Sequence, residues 1–134
     1  MVRRLTPGDE KTLVALEAAY QRPIPGAGKV LQDERAFLLV AVRDNRPVGY
    51  ALVYVLPRID DRTMALLYDV GVEEAYRRQG VGRELLEAAK ELMREAGAYK
   101  MFVLTDEVNT AAMALYAAAG GRRDADQVMW SWEA

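Results

Sequence analysis

The residues with the clearest chemical potential form a short glycine-containing run, Arg77-Arg78-Gln79-Gly80-Val81-Gly82, which precedes a long amphipathic segment. Backbone N–H groups at a helix N-terminus lack intrahelical partners, and the helix dipole adds roughly half a positive charge there, so phosphate is favoured. Glycine permits close backbone approach to a diphosphate, and the arginines add charge-assisted donors. The run predicts a diphosphate site, although a tight strand-to-helix turn with solvated arginines fits these six residues equally well.

The amino-acid composition excludes several kinds of catalyst. The 134 residues include neither cysteine nor histidine, so disulfides, thiolate or imidazole metal ligands and Ser-His-Asp triads are ruled out. Any general base must be a carboxylate, a tyrosine, a lysine or water, and we predict no metal site. The formal net charge of −2 gives no electrostatic basis for nucleic-acid binding and favours small cationic partners.

Length and hydropathy predict one domain over residues 1–134, because a chain of this size encloses a single core. No apolar run approaches the roughly 20 residues that cross a bilayer. The N-terminal residues also lack the apolar stretch of a signal peptide. We therefore predict a cytoplasmic protein with no membrane segment.

The hydrophobic periodicity predicts alternating helices and strands. The predicted helices are Thr6 to Tyr20 with Thr6 as N-cap, a short turn near Leu31, Gly80 to Ala96 ended by Gly97, and Thr110 to Ala119. The predicted strands are Ala36 to Arg43, Val48 to Leu56, Met64 to Val72, Tyr99 to Thr105 and Gln127 to Glu133. The first two strands form a predicted hairpin through residues 44–47, and the Pro/Gly-rich residues 22–28 form a loop.

Two stretches together resemble the signatures of the GNAT N-acetyltransferases. The run Arg77-x-x-Gly80-x-Gly82, after the strand end Asp69-Val70-Gly71-Val72, is similar to the family's acetyl-CoA pyrophosphate loop. Further along, Asn109-x-x-Ala112-x-x-Leu115-Tyr116-x-x-x-Gly120 is similar to its second signature. The nearest likeness is to the type I aminoglycoside 3-N-acetyltransferases, through the stretches Tyr54-Val55-Leu56-Pro57, Tyr68-Asp69, Arg77-Arg78-Gln79-Gly80 and Ala114-Leu115-Tyr116.

This resemblance covers the chain from about Phe37 onward and implies both a fold and an activity. The implied fold is α/β (α+β), the GNAT acyl-CoA N-acyltransferase fold, with a central mixed, mostly antiparallel sheet, helices on both faces and strands splayed at the CoA site. The implied activity is N-acetyl transfer from acetyl-CoA to an amine, with the 3-amino group of an aminoglycoside as one acceptor. The alternatives are acetylation of a protein lysine or N-terminus or of another small amine, and a non-catalytic CoA-binding sensor. The resemblance is also compatible with a homodimer.

The resemblance implies roles in cofactor binding for several residues. Val70, Gly71 and Val72 would hold the pantetheine arm through main-chain groups, with ordinary core packing as the compatible alternative. Asn109 would bond the pantetheine arm or the adenosine side, or serve as a helix N-cap. Tyr116 would donate a proton to the departing CoA thiolate, because a phenol of pKa ~10 stays protonated where a thiol of pKa ~8.5 ionises. Its alternative role is aromatic packing.

Asp69 is the candidate base or acceptor anchor, because it is an acid in an otherwise apolar strand. An ammonium acceptor must lose a proton before it attacks a thioester. A salt bridge to an arginine is the alternative for Asp69. The rival carboxylates, predicted to be surface charges, are Glu73, Glu74, Asp106 and Glu107. Without cysteine or histidine to form an acyl-enzyme, direct attack in a ternary complex is the simpler mechanism.

Overall fold

The computed structural model describes residues 1–134, which form a five-stranded sheet with strand order β1-β2-β3-β4-β5. The elements in chain order are β1 Val2–Leu5, α1 Glu10–Tyr20, α2 Ala27–Gln32, β2 Ala36–Arg43, β3 Arg46–Pro57, β4 Thr63–Val72, a 3-10 turn Glu74–Tyr76, α3 Val81–Glu95, β5 Lys100–Phe102 and α4 Thr110–Ala118. The first four strands pair antiparallel, and β5 pairs parallel to β4 after the α3 crossover. The predicted mixed, mostly antiparallel sheet is confirmed.

Helices cover both faces of the sheet, because the inner strands are apolar on both faces. One core lies under α3 and combines residues such as Leu85 and Ala89 with Ala41, Val53 and Leu67 of the strands. The other core lies under α1 and α2, where the buried residues are Leu5, Leu16, Ala19, Leu31, Leu38, Val40 and Tyr50. Consecutive β2 residues thus contribute to opposite cores, as strand geometry requires.

The N-terminal region differs from the prediction in two ways. Val2–Leu5 forms an edge strand that the sequence analysis missed, since its four residues include two exposed arginines and show no usable alternation. The first helix begins at Glu10, with Asp9 rather than Thr6 at the N-cap position. The reason is that the Asp9 carboxylate accepts hydrogen bonds from the Thr6 N–H at 2.8 Å and from its hydroxyl at 3.1 Å. These bonds hold residues 6–9 in a turn ahead of the helix.

The predicted hairpin between β2 and β3 is confirmed, with a tighter turn than expected. Asp44 and Asn45 alone form the turn, with φ values of 51° and 60°, and residues 46 and 47 already belong to β3. Positive φ at both central residues matches the twist of the flanking strands.

The C-terminal part contains the largest error of the sequence analysis. β5 ends at Phe102 instead of Thr105, and the strand predicted over Gln127 to Glu133 is absent. The segment pairs with no strand, and the outer edge of β5 stays open. Its side chains, among them Trp130 and Trp132, are exposed. An alternation of apolar and polar residues is insufficient for a strand where no buried face stabilises the pairing.

Candidate active site

A β-bulge in β4 determines which side of the sheet the Asp69 carboxylate faces. Leu52 of β3 pairs with Asp69 while the next residue, Val53, pairs with Leu67, so Tyr68 is an additional residue on β4. Without it, strict alternation would place Asp69 on the face of Leu67, inside the core under α3. With the bulge, Asp69 lies opposite Leu52 on the α1 side.

An open cavity of about 430 Å³ lies on this α1 side, within the size range of small-molecule sites. Its lining residues are Leu16, Tyr20, Arg22, Pro23, Ile24, Pro25, Gly26, Ala27, Val30, Leu38, Tyr50, Leu52, Tyr68 and Asp69. Nine of these 14 residues are hydrophobic, and Arg22 and Asp69 are the only charged ones. The cavity therefore presents one carboxylate within apolar and aromatic walls.

Tyr50 forms one wall of the cavity because Gly71 leaves room for its ring. The two residues pair across β3 and β4, and a β-carbon at Gly71 would overlap the Tyr50 ring and lie 2.9 Å from its hydroxyl oxygen. The Tyr50 ring packs on Tyr20 of α1 with 5.4 Å between centroids. Burial, and then the negative charge of Asp69, raise the pKa of the Tyr50 phenol. Tyr50 is therefore a neutral group beside the carboxylate.

Arg22 is the second charged group of the cavity, and it is held by the side chain of Tyr20. Its Nη2 atom donates to the Tyr20 hydroxyl at 3.1 Å, and its guanidinium carbon lies 4.9 Å from the centroid of that ring. The hydrogen bond to Tyr20 raises the pKa of Arg22, to which the charge of Asp69 also contributes. The loop thus places a permanent positive charge at the cavity.

The Asp69 carboxylate forms no salt bridge, so the predicted alternative of a pairing with an arginine is wrong: every ion pair within 4.0 Å joins other groups. Two of the rival carboxylates are paired instead, Glu73 with Arg46 at 2.7 Å and Glu107 with Arg123 at 3.2 Å. The two others, Glu74 and Asp106, are exposed. Asp69 is therefore the unpaired carboxylate on the cavity wall.

At the edge of β4 that faces β5, a gap opens between the two strands. The two strands pair over three residues each, Met64 to Leu66 with Lys100 to Phe102, after which β5 ends while β4 continues to Val72. The Glu73 N–H donates to the Val48 carbonyl of β3 at 2.8 Å. Because successive residues of a strand direct their N–H groups to opposite sides, Val70 and Val72 direct theirs into the gap. The pairing of β4 with β5 thus ends in the region where the resemblance implies splayed strands.

The predicted phosphate loop lies beside this gap and has free donors. Arg78 and Gly80 adopt left-handed conformations, with φ values of 61° and 80°, which turn the chain into α3. The N–H groups of residues 78–83 donate to no backbone oxygen. The Arg77 side chain donates through Nε to the Val72 carbonyl at 3.2 Å, which ties the loop to the end of β4. This set of N–H groups is suited to an anion.

The other members of the loop have separate structural roles. The Gln79 amide donates to the Ala75 carbonyl at 3.2 Å and so stabilises the turn before α3. Val81 is 1% exposed and belongs to the core under α3, so only its backbone is available to a ligand. Gly82 faces α4, since a β-carbon there would lie 3.1 Å from the Leu115 Cδ2 atom. The absence of a side chain at Gly82 therefore permits close packing of α3 and α4. Its predicted role in close approach to a diphosphate is a separate one.

Asn109 is the N-cap of α4, as the sequence analysis allowed. Its Oδ1 atom accepts a hydrogen bond from the Ala112 N–H at 3.1 Å. The amide nitrogen of the same side chain makes no hydrogen bond within the protein and remains exposed. The cap fixes the start of the helix that carries Tyr116, and a contact of Asn109 with pantetheine or adenosine stays a prediction.

Tyr116 is anchored by the end of α4. Gly121 donates its N–H to the Tyr116 carbonyl at 2.9 Å and Gly120 donates to the Ala117 carbonyl at 3.0 Å, the hydrogen-bond pattern of a Schellman motif. A β-carbon at Gly121 would lie 2.9 Å from the Tyr116 carbonyl oxygen, so this turn favours glycine at that position. Burial, and then the charge of Asp69, raise the pKa of Tyr116. Tyr116 therefore stays protonated at neutral pH and lies within the electrostatic reach of Asp69.

Sequence reasoning missed most of the cavity wall. From the sequence, Tyr20 and Tyr50 could line an acceptor cleft, but core packing is the more usual role of aromatic residues and neither is assigned a role. Tyr68 enters only through the Tyr68-Asp69 stretch of the resemblance, and Arg22 is not singled out. These residues are spread over four segments, so no local spacing links them. The available signal was the loop at residues 22–28, whose two prolines and two glycines mark a shaped surface loop.

The structure has no cluster of three or more acidic side chains that could hold a metal ion. None of its helices combines the length and the apolar character needed to cross a bilayer. A cytoplasmic location stays a prediction.

The acetyltransferase (GNAT) family model matches residues 7–120, and the chain belongs to this family. The ribosomal protein bS18-alanine N-acetyltransferase of Salmonella typhimurium is 30% identical over 89 residues, which is 66% of this chain and 57% of that protein. The Escherichia coli K12 enzyme is 29% identical over the same shares. The chain thus spans little more than half the length of these curated relatives.

Solved structures share the whole fold. An aminoglycoside acetyltransferase from an uncultured soil metagenomic sample, solved in complex with sisomicin, has a TM-score of 0.88 and 25% identity, and the match covers 100% of this chain and 95% of that chain. A ribosomal-protein-alanine N-acetyltransferase from Brucella melitensis has a TM-score of 0.82 with 21% identity over 99% of both chains, which shows likeness of fold.

Proposed function

We propose that this chain transfers the acetyl group of acetyl-CoA to a primary amine by direct attack in a ternary complex. The observation that carries the proposal is the position of two groups around β4. Asp69 is an unpaired carboxylate on the cavity wall, and Tyr116 is a half-buried phenol whose pKa responds to the charge of Asp69. In this proposal Asp69 of β4 is the base for the amine, and Tyr116 of α4 is the acid for the leaving thiolate.

In this mechanism Asp69, directly or through water, accepts a proton from the ammonium form of the acceptor. The neutral nitrogen then forms a bond to the thioester carbonyl carbon, and the carbon–sulfur bond breaks. Tyr116 donates its proton to the sulfur, and it regains a proton from the nitrogen that has become part of an amide. The net products are the acetylated amine, CoA thiol and one proton.

The residues on the α3 side fit acetyl-CoA as the second substrate. The free N–H groups of residues 78–83 suit a pyrophosphate, and Arg78 adds an exposed positive charge. The N–H groups of Val70 and Val72 point into the gap between β4 and β5, where they would bond the pantetheine arm. A main-chain donor of this kind also polarises a thioester carbonyl, and such preorganised donors contribute roughly 3–4 kcal/mol in other acyl transfers.

Two acceptor classes follow from the relatives. An aminoglycoside, acetylated at its 3-amino group, is the acceptor implied by the family likeness, and the neighbour solved with sisomicin supports this class. A protein N-terminus is the alternative, which the ribosomal protein-alanine N-acetyltransferases support. Both classes place a primary amine at Asp69, and they differ in how many further charges the cavity must accept.

A two-stage experiment tests the proposal. Acetyl-CoA at about a hundredfold excess over its dissociation constant should stabilise the protein by about 2.7 kcal/mol, because it binds the folded chain alone. Release of CoA thiol is then followed with a panel of amines, and the products are identified by mass spectrometry. Absence of a thermal shift at millimolar acetyl-CoA would contradict the proposal. A shift without thiol release from any amine would instead favour the CoA-binding sensor.

A homodimer through residues 122–134 is part of the same proposal. The sheet ends at β5, and the exposed residues of the segment include Val128, Met129, Trp130 and Trp132, each at least 73% exposed. Pairing of this segment with the β5 edge of a second copy would cover both surfaces. Light scattering should give a dimer mass for the native chain and a monomer mass for the Trp130→Ala/Trp132→Ala variant. A monomeric native chain would contradict this part.

A further inference from the structure

The charged residues of the cavity restrict the kinds of acceptor amine more narrowly than membership of the acetyltransferase family does. Of its 14 lining residues, Asp69 is the one anion and Arg22 the one cation, so the formal charge of the wall is zero. The nearest acid of α1, Glu17, is outside the lining and accepts a hydrogen bond from the Ile24 N–H at 3.5 Å. The cavity therefore offers a single site for an ammonium group.

The remaining wall is suited to an apolar or aromatic body. Tyr20 and Tyr50 pack on each other with 5.4 Å between ring centroids, and Tyr68, which is 65% exposed, packs edge-on against Tyr54 at 5.6 Å. Leu16, Leu38 and Leu52 complete the surface with side chains that form no hydrogen bonds. The ammonium of a monoamine exchanges its hydration for Asp69 and its apolar carbons gain by leaving water, whereas each additional ammonium or hydroxyl group must find a partner or pay for desolvation.

We infer that the acceptor is a monoamine with an apolar or aromatic body, and that polycations such as aminoglycosides are poor substrates. The inference rests on the proposed function and names its substrate class. The acceptor's ammonium binds Asp69, and its apolar body lies against the tyrosines and leucines of the cavity. The proton and acetyl transfers are those already described.

Arg22 is the specificity-determining residue in this inference. Its guanidinium is held at the cavity by the Tyr20 hydroxyl and ring, and its side chain is exposed to solvent. A second ammonium would meet this like charge, with a repulsion that solvent partly screens. A monoamine avoids the repulsion altogether.

The test compares two amines that differ by one charge. Hexylamine and 1,6-diaminohexane have the same chain length, and kcat/KM for each is measured by CoA-thiol release at saturating acetyl-CoA, with sisomicin as a third acceptor. We expect kcat/KM for hexylamine to exceed that for the diamine by at least about tenfold, and the value for sisomicin to be lower still.

Substitution of Arg22 shows whether the discrimination arises as inferred. Arg22→Gln keeps a donor for the Tyr20 hydroxyl but removes the charge, so the ratio of hexylamine to diamine should narrow by about threefold or more. The matched control is Arg94→Gln, which removes an exposed arginine of α3 that is paired with Glu91. This control should leave the ratio unchanged.

The possible results separate this inference from the proposed function. Equal or faster acetylation of the diamine or of sisomicin would overturn the inference and leave the acetyltransferase function standing. An unchanged ratio in Arg22→Gln would overturn the role of Arg22. Failure of all three amines to release CoA thiol would overturn the inference, and the proposed function would fall with it only if the wider panel of amines, including protein N-terminal peptides, also released none.

Discussion

The two halves of the candidate active site are built from different groups. The half near β5 and the start of α3 consists mainly of backbone N–H groups, whereas the half under α1 consists of side chains. The N–H groups of Val70, Val72 and residues 78–83 form the first half, and their positions depend on one strand end and one helix start. Asp69, Tyr50 and the residues of α1 form the second half, which depends on the packing of distant segments. The difference teaches that a local motif encodes the backbone proposed to bind acetyl-CoA, while the cavity proposed for the acceptor arises from tertiary structure.

The largest effect is expected where both halves depend on one residue, Tyr116. Tyr116→Phe keeps the ring and removes the hydroxyl, so kcat should fall by about 10²- to 10⁴-fold, the usual contribution of a general acid. The dissociation constant for acetyl-CoA should change little, as calorimetry would show. Because burial raises the pKa of Tyr116 above its ordinary value of 10.0, the phenol stays almost fully protonated up to about pH 9, and kcat should show no loss from this residue below that pH. Equal kinetics for Tyr116→Phe would leave it a packing residue.

Asp69→Asn tests the α1 half alone. The substitution keeps shape and hydrogen-bonding capacity but removes the charge, so kcat/KM for the amine should drop by roughly one to three orders of magnitude. Acetyl-CoA affinity and melting temperature should be nearly kept, because Asp69 forms no salt bridge. If activity survives while stability falls, Asp69 is structural, and the base must be water or another carboxylate.

A Gly82 substitution tests the α3 half and can separate two roles of that glycine. Gly82→Val should weaken acetyl-CoA binding by about tenfold or more, and should also destabilise the fold by about 1–3 kcal/mol through overlap with Leu115. In the double variant Gly82→Val/Leu115→Ala the overlap is relieved. If acetyl-CoA affinity returns together with stability, Gly82 acts through helix packing. If affinity stays low, the glycine is needed for approach to the ligand.

The smallest effect is expected at Gly71, which belongs to both halves of the site. Its backbone lies between Val70 and Val72, and its missing side chain leaves room for the Tyr50 ring. Gly71→Ala should displace the Tyr50 ring and raise KM for the amine by roughly tenfold, with a smaller change for acetyl-CoA. Gly28→Ala is the control, since a β-carbon there would meet no atom within 4 Å. A larger effect on acetyl-CoA than on the amine would mean that the Gly71 backbone, rather than the Tyr50 wall, is what the substitution disturbs.

The sequence predicted the elements with strong internal periodicity and the residues with local spacing. The α3 helix, the β2–β3 hairpin, the turn at Gly80 and the N-cap at Asn109 all follow from nearby residues, and the structure confirms them. The bulge at Tyr68 could not be read from the chain, because it is defined by the register between two strands. The same is true of the missing C-terminal strand, since the pairing partner of a strand is not a local property.

The arrangement of Asp69 relative to the cavity was predictable only in part. An acid in an apolar strand predicts a functional role, which stays a prediction; the structure shows that this carboxylate forms no salt bridge. The face on which it lies depends on the bulge, and its aromatic surroundings depend on Tyr20, about fifty residues earlier in the chain. Arg22 and the loop around it carried no motif, and their contribution appears only when α1 packs on the sheet.

The short pairing of β5 with β4 has a consequence for hydrogen exchange along β4. The N–H groups of Gly71 and Glu73 point to β3, where Glu73 is bonded to the Val48 carbonyl, so their exchange requires β3 and β4 to separate. The N–H groups of Val70 and Val72 face the gap and are open to solvent whenever no ligand covers them. Neighbouring amides of one strand should therefore alternate between slow and fast exchange. A ligand bound in the gap should erase the alternation by slowing every second amide.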